Sequence, residues 1–127
     1  MSKLLVHLVD DDDAVRTSVA RLLSLSNLEV RQYSSGEALL EGSGDLDDGC
    51  ILLDVNMPAM DGFAVLKALR DRSIDLPVIM MTGAGDLAAS PLTDDIAAFL
   101  QKPFRREELM ALLDRFGIRP NAEAKTP

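Results

Sequence analysis

Five polar side chains stand where apolar runs of the sequence end, and together they suit phosphoryl transfer. They are Asp10, Asp11, Asp54, Thr82 and Lys102. Carboxylates gathered in one crevice repel each other by roughly 4 kcal/mol per pair at about 4 Å and an effective dielectric constant near 20. A hard divalent cation relieves this repulsion, and one or two carboxylates with water are typical ligands of Mg²⁺. A carboxylate beside Mg²⁺, a lysine and a hydroxyl can attack phosphorus while the other groups hold the phosphoryl oxygens.

The residues around Asp54 predict a buried strand that ends in a turn. The run 51–53 (Ile-Leu-Leu) is too short for a core helix and suits a strand buried on both faces. Pro58 disfavours helical backbone at Met57, so a helix cannot continue from the strand. Asp54 is therefore expected at the crevice in which open α/β sheets bind ligands. Taken alone, an aspartate after a strand is more often a helix cap or a solvated loop acid, so the neighbouring motifs decide its role.

Segments typical of strands and helices alternate along the whole chain. The expected strands are residues 4–9, 28–33, 50–54, 77–82 and 99–101. The helices between them are expected to begin at Asp12 or Asp13, at Ser35, at Asp61 and near Phe104. This alternation predicts a parallel sheet with helices on both faces. Right-handed crossovers then bring all strand C-termini, and with them the five polar side chains, to one edge.

Composition excludes several classes of protein. The 127 residues are 47% hydrophobic and 27% charged, as in one globular domain. The net charge of −8 argues against a nucleic-acid-binding face. The single cysteine, Cys50, excludes an internal disulfide, and no apolar run approaches the roughly 18 residues of a membrane span. We therefore expect a cytoplasmic protein in which Cys50 and the only histidine, His7, are packed in the core.

Four motifs resemble the receiver domain of two-component response regulators. They are Val9-Asp10-Asp11, Leu53 to Pro58 with Asp61-Gly62, Met81-Thr82-Gly83 and Lys102-Pro103-Phe104. They span about residues 4–117 in the order of that family, and together they are specific although each alone is modest. The opening Val-His-Leu-Val-Asp-Asp and the Thr-Gly-x-Gly-Asp loop resemble the subgroup found in nitrogen-fixation transcription regulators.

The resemblance implies a phosphorylatable switch module rather than a classical enzyme. Asp54 would take a phosphoryl group from the phosphohistidine of a sensor histidine kinase or a histidine phosphotransfer protein. Transfer and autodephosphorylation would be catalysed by the module itself. Thr82 and Lys102 would contact the phosphoryl group, and the Lys102–Pro103 peptide bond would be cis.

The same resemblance implies a Mg²⁺ site built on four residues. Asp11 would ligate the ion directly and Asp10 mainly through water. Asp54 would be a further ligand, and Asn56 would contribute its backbone carbonyl.

The family likeness also implies a doubly wound, flavodoxin-like sheet of order 2-1-3-4-5. Residues 1–118 would form the receiver domain and residues 119–127 a disordered tail. The helix expected before the fifth strand would be short or irregular, because Pro91 falls inside it. A homodimer or an attached output domain would complete the regulator, with no contact to nucleic acid or membrane from this domain.

Two other classes of protein remain as alternatives. Phosphohydrolases of the haloacid-dehalogenase type also use an aspartate nucleophile and Mg²⁺, with a second aspartate two residues further on as acid and base. Here that position holds Asn56, which cannot take up a proton. A binding module that has lost phosphorylation is the other alternative, and the presence of all five site residues speaks against it.

Overall fold

A five-stranded parallel sheet forms the centre of the computed structural model, which describes residues 5–46, 48–83 and 96–118. The strands are β1 Leu5–Val9, β2 Glu29–Tyr33, β3 Cys50–Asp54, β4 Val78–Thr82 and β5 Ala98–Gln101. Their order is β2-β1-β3-β4-β5, and every neighbouring pair is parallel. The predicted fold class and strand order are therefore confirmed. Because β1 connects outward to β2 and β3 lies on its other side, a crevice opens beyond the ends of β1 and β3.

Four α-helices are found among the described residues. They are α1 Asp13–Leu25, α2 Gly36–Glu41, α3 Gly62–Asp71 and α4 Arg106–Arg115, and a short 3-10 helix lies at Ser43–Asp45. The side chains of Asp12, Ser35 and Asp61 accept hydrogen bonds from backbone amides in the first turns of α1, α2 and α3. These caps satisfy amides that have no partner within the helix, and they fix where each helix begins. None of the described helices is long and apolar enough to span a membrane.

Two apolar clusters cover the two faces of the sheet, as expected for a doubly wound fold. On one face α1 and α4 pack against residues that include Val6, Leu8, Leu52 and Ile79. On the other face α2 and α3 pack against residues that include Val9, Ile51, Leu53 and Met80. All residues of β1, β3 and β4 are buried, so the central strands are rigid supports for whatever follows them.

The edge strand β2 is half-exposed, and its exposed and partly buried residues do not alternate strictly. Tyr33 is partly buried because its hydroxyl lies 3.1 Å from Nδ1 of His7, a residue with no exposed surface. Nε2 of His7 lies 3.3 Å from the backbone carbonyl oxygen of Asp48. A carbonyl can only accept, so Nε2 carries the proton and Nδ1 accepts from the tyrosine hydroxyl. Burial lowers the pKa of His7, which favours this neutral form.

Cys50 begins the central strand β3 and is fully buried. Burial raises the pKa of its thiol to about 12, which keeps it protonated and unreactive. The expectation that it serves packing therefore agrees with its surroundings.

Two predictions concern parts of the chain outside the described residues. The short helix around Pro91 falls within residues 84–95, and the disordered tail falls within residues 119–127. Both stay predictions.

Replacing Gly62 with alanine is expected to destabilise the fold. A Cβ at this position would lie 2.7 Å from the carbonyl oxygen of Asp54 and 3.0 Å from Cα of Val55. Both contacts are with backbone, so α3 has to move away from the end of β3. Overpacking of this kind costs about 1–3 kcal/mol in free energy of unfolding, to be measured by urea denaturation.

Gly44→Ala is the matched control for that substitution, because a Cβ there meets no atom within 4 Å. Its stability should stay within about 0.5 kcal/mol of the wild-type value. Equal effects of the two substitutions would contradict the close approach of α3 to β3.

Candidate functional site

Three carboxylates meet at the C-terminal edge of the sheet. Asp10 and Asp11 directly follow β1, and Asp54 is the last residue of the neighbouring strand β3. One oxygen of each carboxylate lies within 4.8 Å of the others, so the three could hold a metal ion together. Asp10 and Asp54 are buried and Asp11 is exposed, which places Asp11 at the entrance of the site.

Hydrogen bonds hold both the side chain and the backbone amide of Asp10. Its Oδ1 accepts from the backbone amide of Asp12 at 3.0 Å, and its Oδ2 accepts from Nζ of Lys102 at 3.1 Å. Its own amide donates to the carbonyl of Tyr33 at 3.1 Å. With both oxygens engaged, the side chain of Asp10 is held in one orientation at the floor of the site.

Lys102 supplies the cation that two of these carboxylates share. It follows β5, and its Nζ lies 3.3 Å from Oδ1 of Asp54 in addition to its contact with Asp10. The Lys102–Pro103 peptide bond is cis, as the family resemblance implied. Burial alone would lower the pKa of Lys102, but the two carboxylates outweigh it and raise that pKa above its ordinary value.

The surroundings of Asp54 oppose its negative charge. Burial raises the pKa of Asp54 to about 6, and the charge of Asp10 acts in the same direction. Lys102 and the backbone amide of Asn56 counteract this, but only in part. A proton and a cation therefore compete for the same carboxylate in the range of pH just below neutrality.

The hydroxyl of Thr82 lies buried at the end of β4 without a hydrogen-bond partner among the described residues. β4 is the next strand after β3, and their register pairs Asp54 with Met81. An unpaired buried hydroxyl costs about 1–3 kcal/mol, so an acceptor that reached this position would be bound favourably.

Asn56 lies two residues beyond Asp54, on an exposed turn. The turn folds back at once, because the amide of Gly62 donates to the carbonyl of Val55 at 2.9 Å. This closure keeps Asn56 at the rim of the crevice. Its assignment as a metal ligand stays a prediction, like the other individual roles in the site.

Arg16 is a residue of this site that the sequence analysis did not identify. Its guanidinium contacts the backbone carbonyl of Asp10 at 2.7 Å. A signal was present, since an arginine in the first turn of a helix opposes the positive end of the helix dipole. Such a placement calls for a local acceptor.

A doubly wound sheet with an acidic cluster and a lysine at its carboxyl edge is typical of one class of signalling domain. The chain belongs to the response regulator receiver domain family, whose model matches residues 6–114. It is thus a signalling switch rather than a classical enzyme.

Individual relatives indicate the subgroup of receiver domains to which this chain is similar. The transcriptional regulatory protein FixJ of Azorhizobium caulinodans is 46% identical over 108 residues, which are 84% of this chain and 51% of that protein. The DNA-binding transcriptional regulator NtrC of Escherichia coli is 37% identical over 117 residues, which are 91% of this chain and 25% of that protein. A crystal structure of FixJ-N superposes with a TM-score of 0.82 at 31% identity, covering 96% of this chain and 99% of that one.

These findings confirm the resemblance to the nitrogen-fixation subgroup. The chain spans about half the length of the FixJ relatives that it matches, 51% of one and 57% of another.

Asp54→Asn is expected to stabilise the metal-free protein at neutral pH. The folded-state pKa of Asp54 is raised above the ordinary value of 3.8 to about 6. Its contribution to stability is therefore present below about pH 4 and is lost as the pH rises through about 6. In EDTA, the variant should exceed the wild type by about 2–3 kcal/mol at pH 7, and the difference should shrink towards pH 4.

Asp71→Asn provides the control for that comparison, because this carboxylate is 64% exposed in its pair with Lys67. Urea denaturation should show a change within about 0.5 kcal/mol at both pH values. A destabilised Asp54→Asn protein at pH 7 would show that charge crowding does not govern the site.

Thr82→Val is expected to leave the unphosphorylated protein at least as stable as the wild type. The substitution replaces an unpaired buried hydroxyl with a methyl group of similar size. Thr82→Ser keeps the hydroxyl but removes a methyl group from a fully buried position, so it should lower the stability by about 1 kcal/mol. Thermal melts decide the order, and a valine variant less stable than the serine variant would indicate a hydrogen bond to Thr82.

Proposed function

We propose that this chain is the phosphoacceptor module of a two-component phosphorelay and that Asp54 is its phosphorylation site. The observation that carries the proposal is the shared contact of Lys102 with Asp10 and Asp54 at 3.1 and 3.3 Å. It joins the nucleophile, a cation and an acidic cluster at the edge of the sheet where ligands bind. The donor would be the phosphohistidine of a sensor histidine kinase or of a histidine phosphotransfer protein.

The acidic cluster fits a Mg²⁺ ion as the cofactor of this reaction. Its donors are all oxygen atoms, as Mg²⁺ prefers, and the exposed carboxylate of Asp11 suits direct ligation. Both oxygens of Asp10 accept hydrogen bonds already, which favours coordination through water. Asp54 and the backbone carbonyl of Asn56 would complete the protein ligands. When bound, the ion neutralises negative charge that develops on the phosphoryl oxygens.

The transfer itself is an in-line displacement at phosphorus. A carboxylate oxygen of Asp54 forms the new P–O bond while the P–N bond to the donor imidazole breaks, and the imidazole leaves with the bonding electrons. Lys102 is close enough to exchange its contact with Asp54 for one with a phosphoryl oxygen. The hydroxyl of Thr82 donates to another phosphoryl oxygen. In autodephosphorylation, water attacks the same phosphorus, which releases inorganic phosphate and restores the carboxylate.

We also propose that this module acts as part of a larger regulator. Because relatives named as transcriptional regulators are about twice as long as the matched segment, we infer that an output domain or a second copy acts with this module. Residues 1–118 would be the receiver domain and residues 119–127 a disordered C-terminal tail.

Acetyl phosphate with Mg²⁺ tests the assignment of Asp54 directly. Intact mass spectrometry should show the addition of one phosphoryl group to the wild-type protein. Asp54→Asn should abolish the addition, since an amide oxygen is a far weaker nucleophile than a carboxylate. Asp71→Asn, which changes an exposed carboxylate away from the site, should be labelled like the wild type. Persistent labelling of Asp54→Asn would refute the assignment.

A further inference from the structure

Arg16 holds the connection that carries the two aspartates after β1. In the first turn of α1, its Nη1 donates to the backbone carbonyl of Asp10 at 2.7 Å and its Nη2 to Oδ1 of Asp13 at 2.6 Å. Only 15% of the Arg16 side chain is exposed, whereas 84% of the Asp13 side chain is. The contact with the carbonyl is therefore the more buried of the two and the less screened by solvent.

The position of this arginine is unfavourable for the helix alone. The N-terminal end of a helix dipole is positive, and a cation in the first turn is repelled by it. The ion pair with an exposed Asp13 compensates weakly, because exposed pairs contribute little. Its partly buried contact with the loop indicates a role outside the helix.

That role follows from the planarity of the peptide group. The carbonyl of Asp10 belongs to the peptide plane that leads to Asp11, so Arg16 fixes the orientation of this plane. The preceding plane is fixed too, because the amide of Asp10 donates to the carbonyl of Tyr33 at 3.1 Å. The Cα of Asp11 is thus held at the end of two fixed planes, although its side chain is exposed to solvent.

We propose that Arg16 is a positioning residue that preorganises Asp11 for the divalent cation, an inference that rests on the function proposed above. It touches neither the ion nor the phosphoryl group. Partners that orient metal ligands in this way typically contribute about 10–100-fold to metal affinity.

Electrostatics and positioning make opposite predictions for the loss of this arginine. Removing a cation beside three carboxylates should tighten the binding of Mg²⁺ if charge alone matters. Removing a positioning contact should weaken it, because Asp11 then loses its fixed direction. The sign of the change therefore separates the two explanations.

Isothermal titration of the full chain with Mg²⁺ is the decisive experiment, with Arg16→Met as the test and Arg21→Met as its match. Arg21 lies on the same helix and is exposed, so its loss removes the same charge without disturbing the loop. We expect the Kd to rise about tenfold for Arg16→Met and to stay within about twofold for Arg21→Met. Arg16→Lys replaces the planar guanidinium, which has several N–H donors, with a single ammonium group, so an intermediate Kd is expected. This variant tests the inference even if Arg16→Met is poorly folded.

Two further measurements separate positioning from general stability. The backbone amide of Asp12 donates to Oδ1 of Asp10. In the metal-free protein, hydrogen exchange of this amide with solvent should be faster in Arg16→Met than in the wild type, and unchanged in Arg21→Met. At saturating Mg²⁺, labelling of Arg16→Met by acetyl phosphate should reach the wild-type rate, because only the affinity for the ion has changed.

Different results of these experiments would overturn the inference, the role of the carbonyl contact or the proposed function. A Kd for Arg16→Met equal to or tighter than that of the wild type overturns the inference while the proposed function stands. Loss of affinity in Asp13→Asn as large as in Arg16→Met assigns the effect to the ion pair and overturns the role of the carbonyl contact. A wild-type protein that binds no Mg²⁺ overturns the proposed function itself.

Discussion

One ammonium group shared between two buried carboxylates is the interaction on which the carboxyl edge of this sheet depends. Parallel strands force the ends of β1 and β3 together, and Asp10 and Asp54 come with them. Lys102 at the end of β5 offsets part of the repulsion, but one cation cannot balance two carboxylates and the nearby Asp11. The excess negative charge lowers the stability of the metal-free protein, and the same charge favours the binding of a cation.

The strands, the helices and the parallel sheet were predictable because they follow from local patterns, whereas the strand order was implied by the family resemblance. Apolar runs such as that at residues 51–53 gave the central strands, and the caps Asp12 and Asp61 marked where helices begin. Chirality of the crossovers then left one edge for the polar residues. The half-burial of Tyr33 was not predictable in this way, because it depends on a hydrogen bond to a histidine 26 positions away.

The residues of the candidate site were predictable from the sequence, whereas their pKa values and hydrogen bonds were not. Strand ends and the family resemblance together indicated Asp10, Asp11, Asp54 and Lys102. The raised pKa of Asp54 and the unpaired hydroxyl of Thr82 depend on burial, which a single sequence does not specify. The contact of Arg16 with a backbone carbonyl was missed for a related reason, since the acceptor is a main-chain group and the only signal in the sequence is the position of Arg16 near the start of α1.

Tyr33 gives the molecule an optical reporter of its own. The chain contains no tryptophan and one tyrosine, so apart from the weak emission of its four phenylalanines its intrinsic ultraviolet fluorescence originates from this phenol. The hydroxyl of Tyr33 is hydrogen-bonded to His7, and the backbone carbonyl of Tyr33 accepts a hydrogen bond from the amide of Asp10. Emission from the unmodified protein therefore reports on one ring, placed between the histidine of the core and the first aspartate of the site.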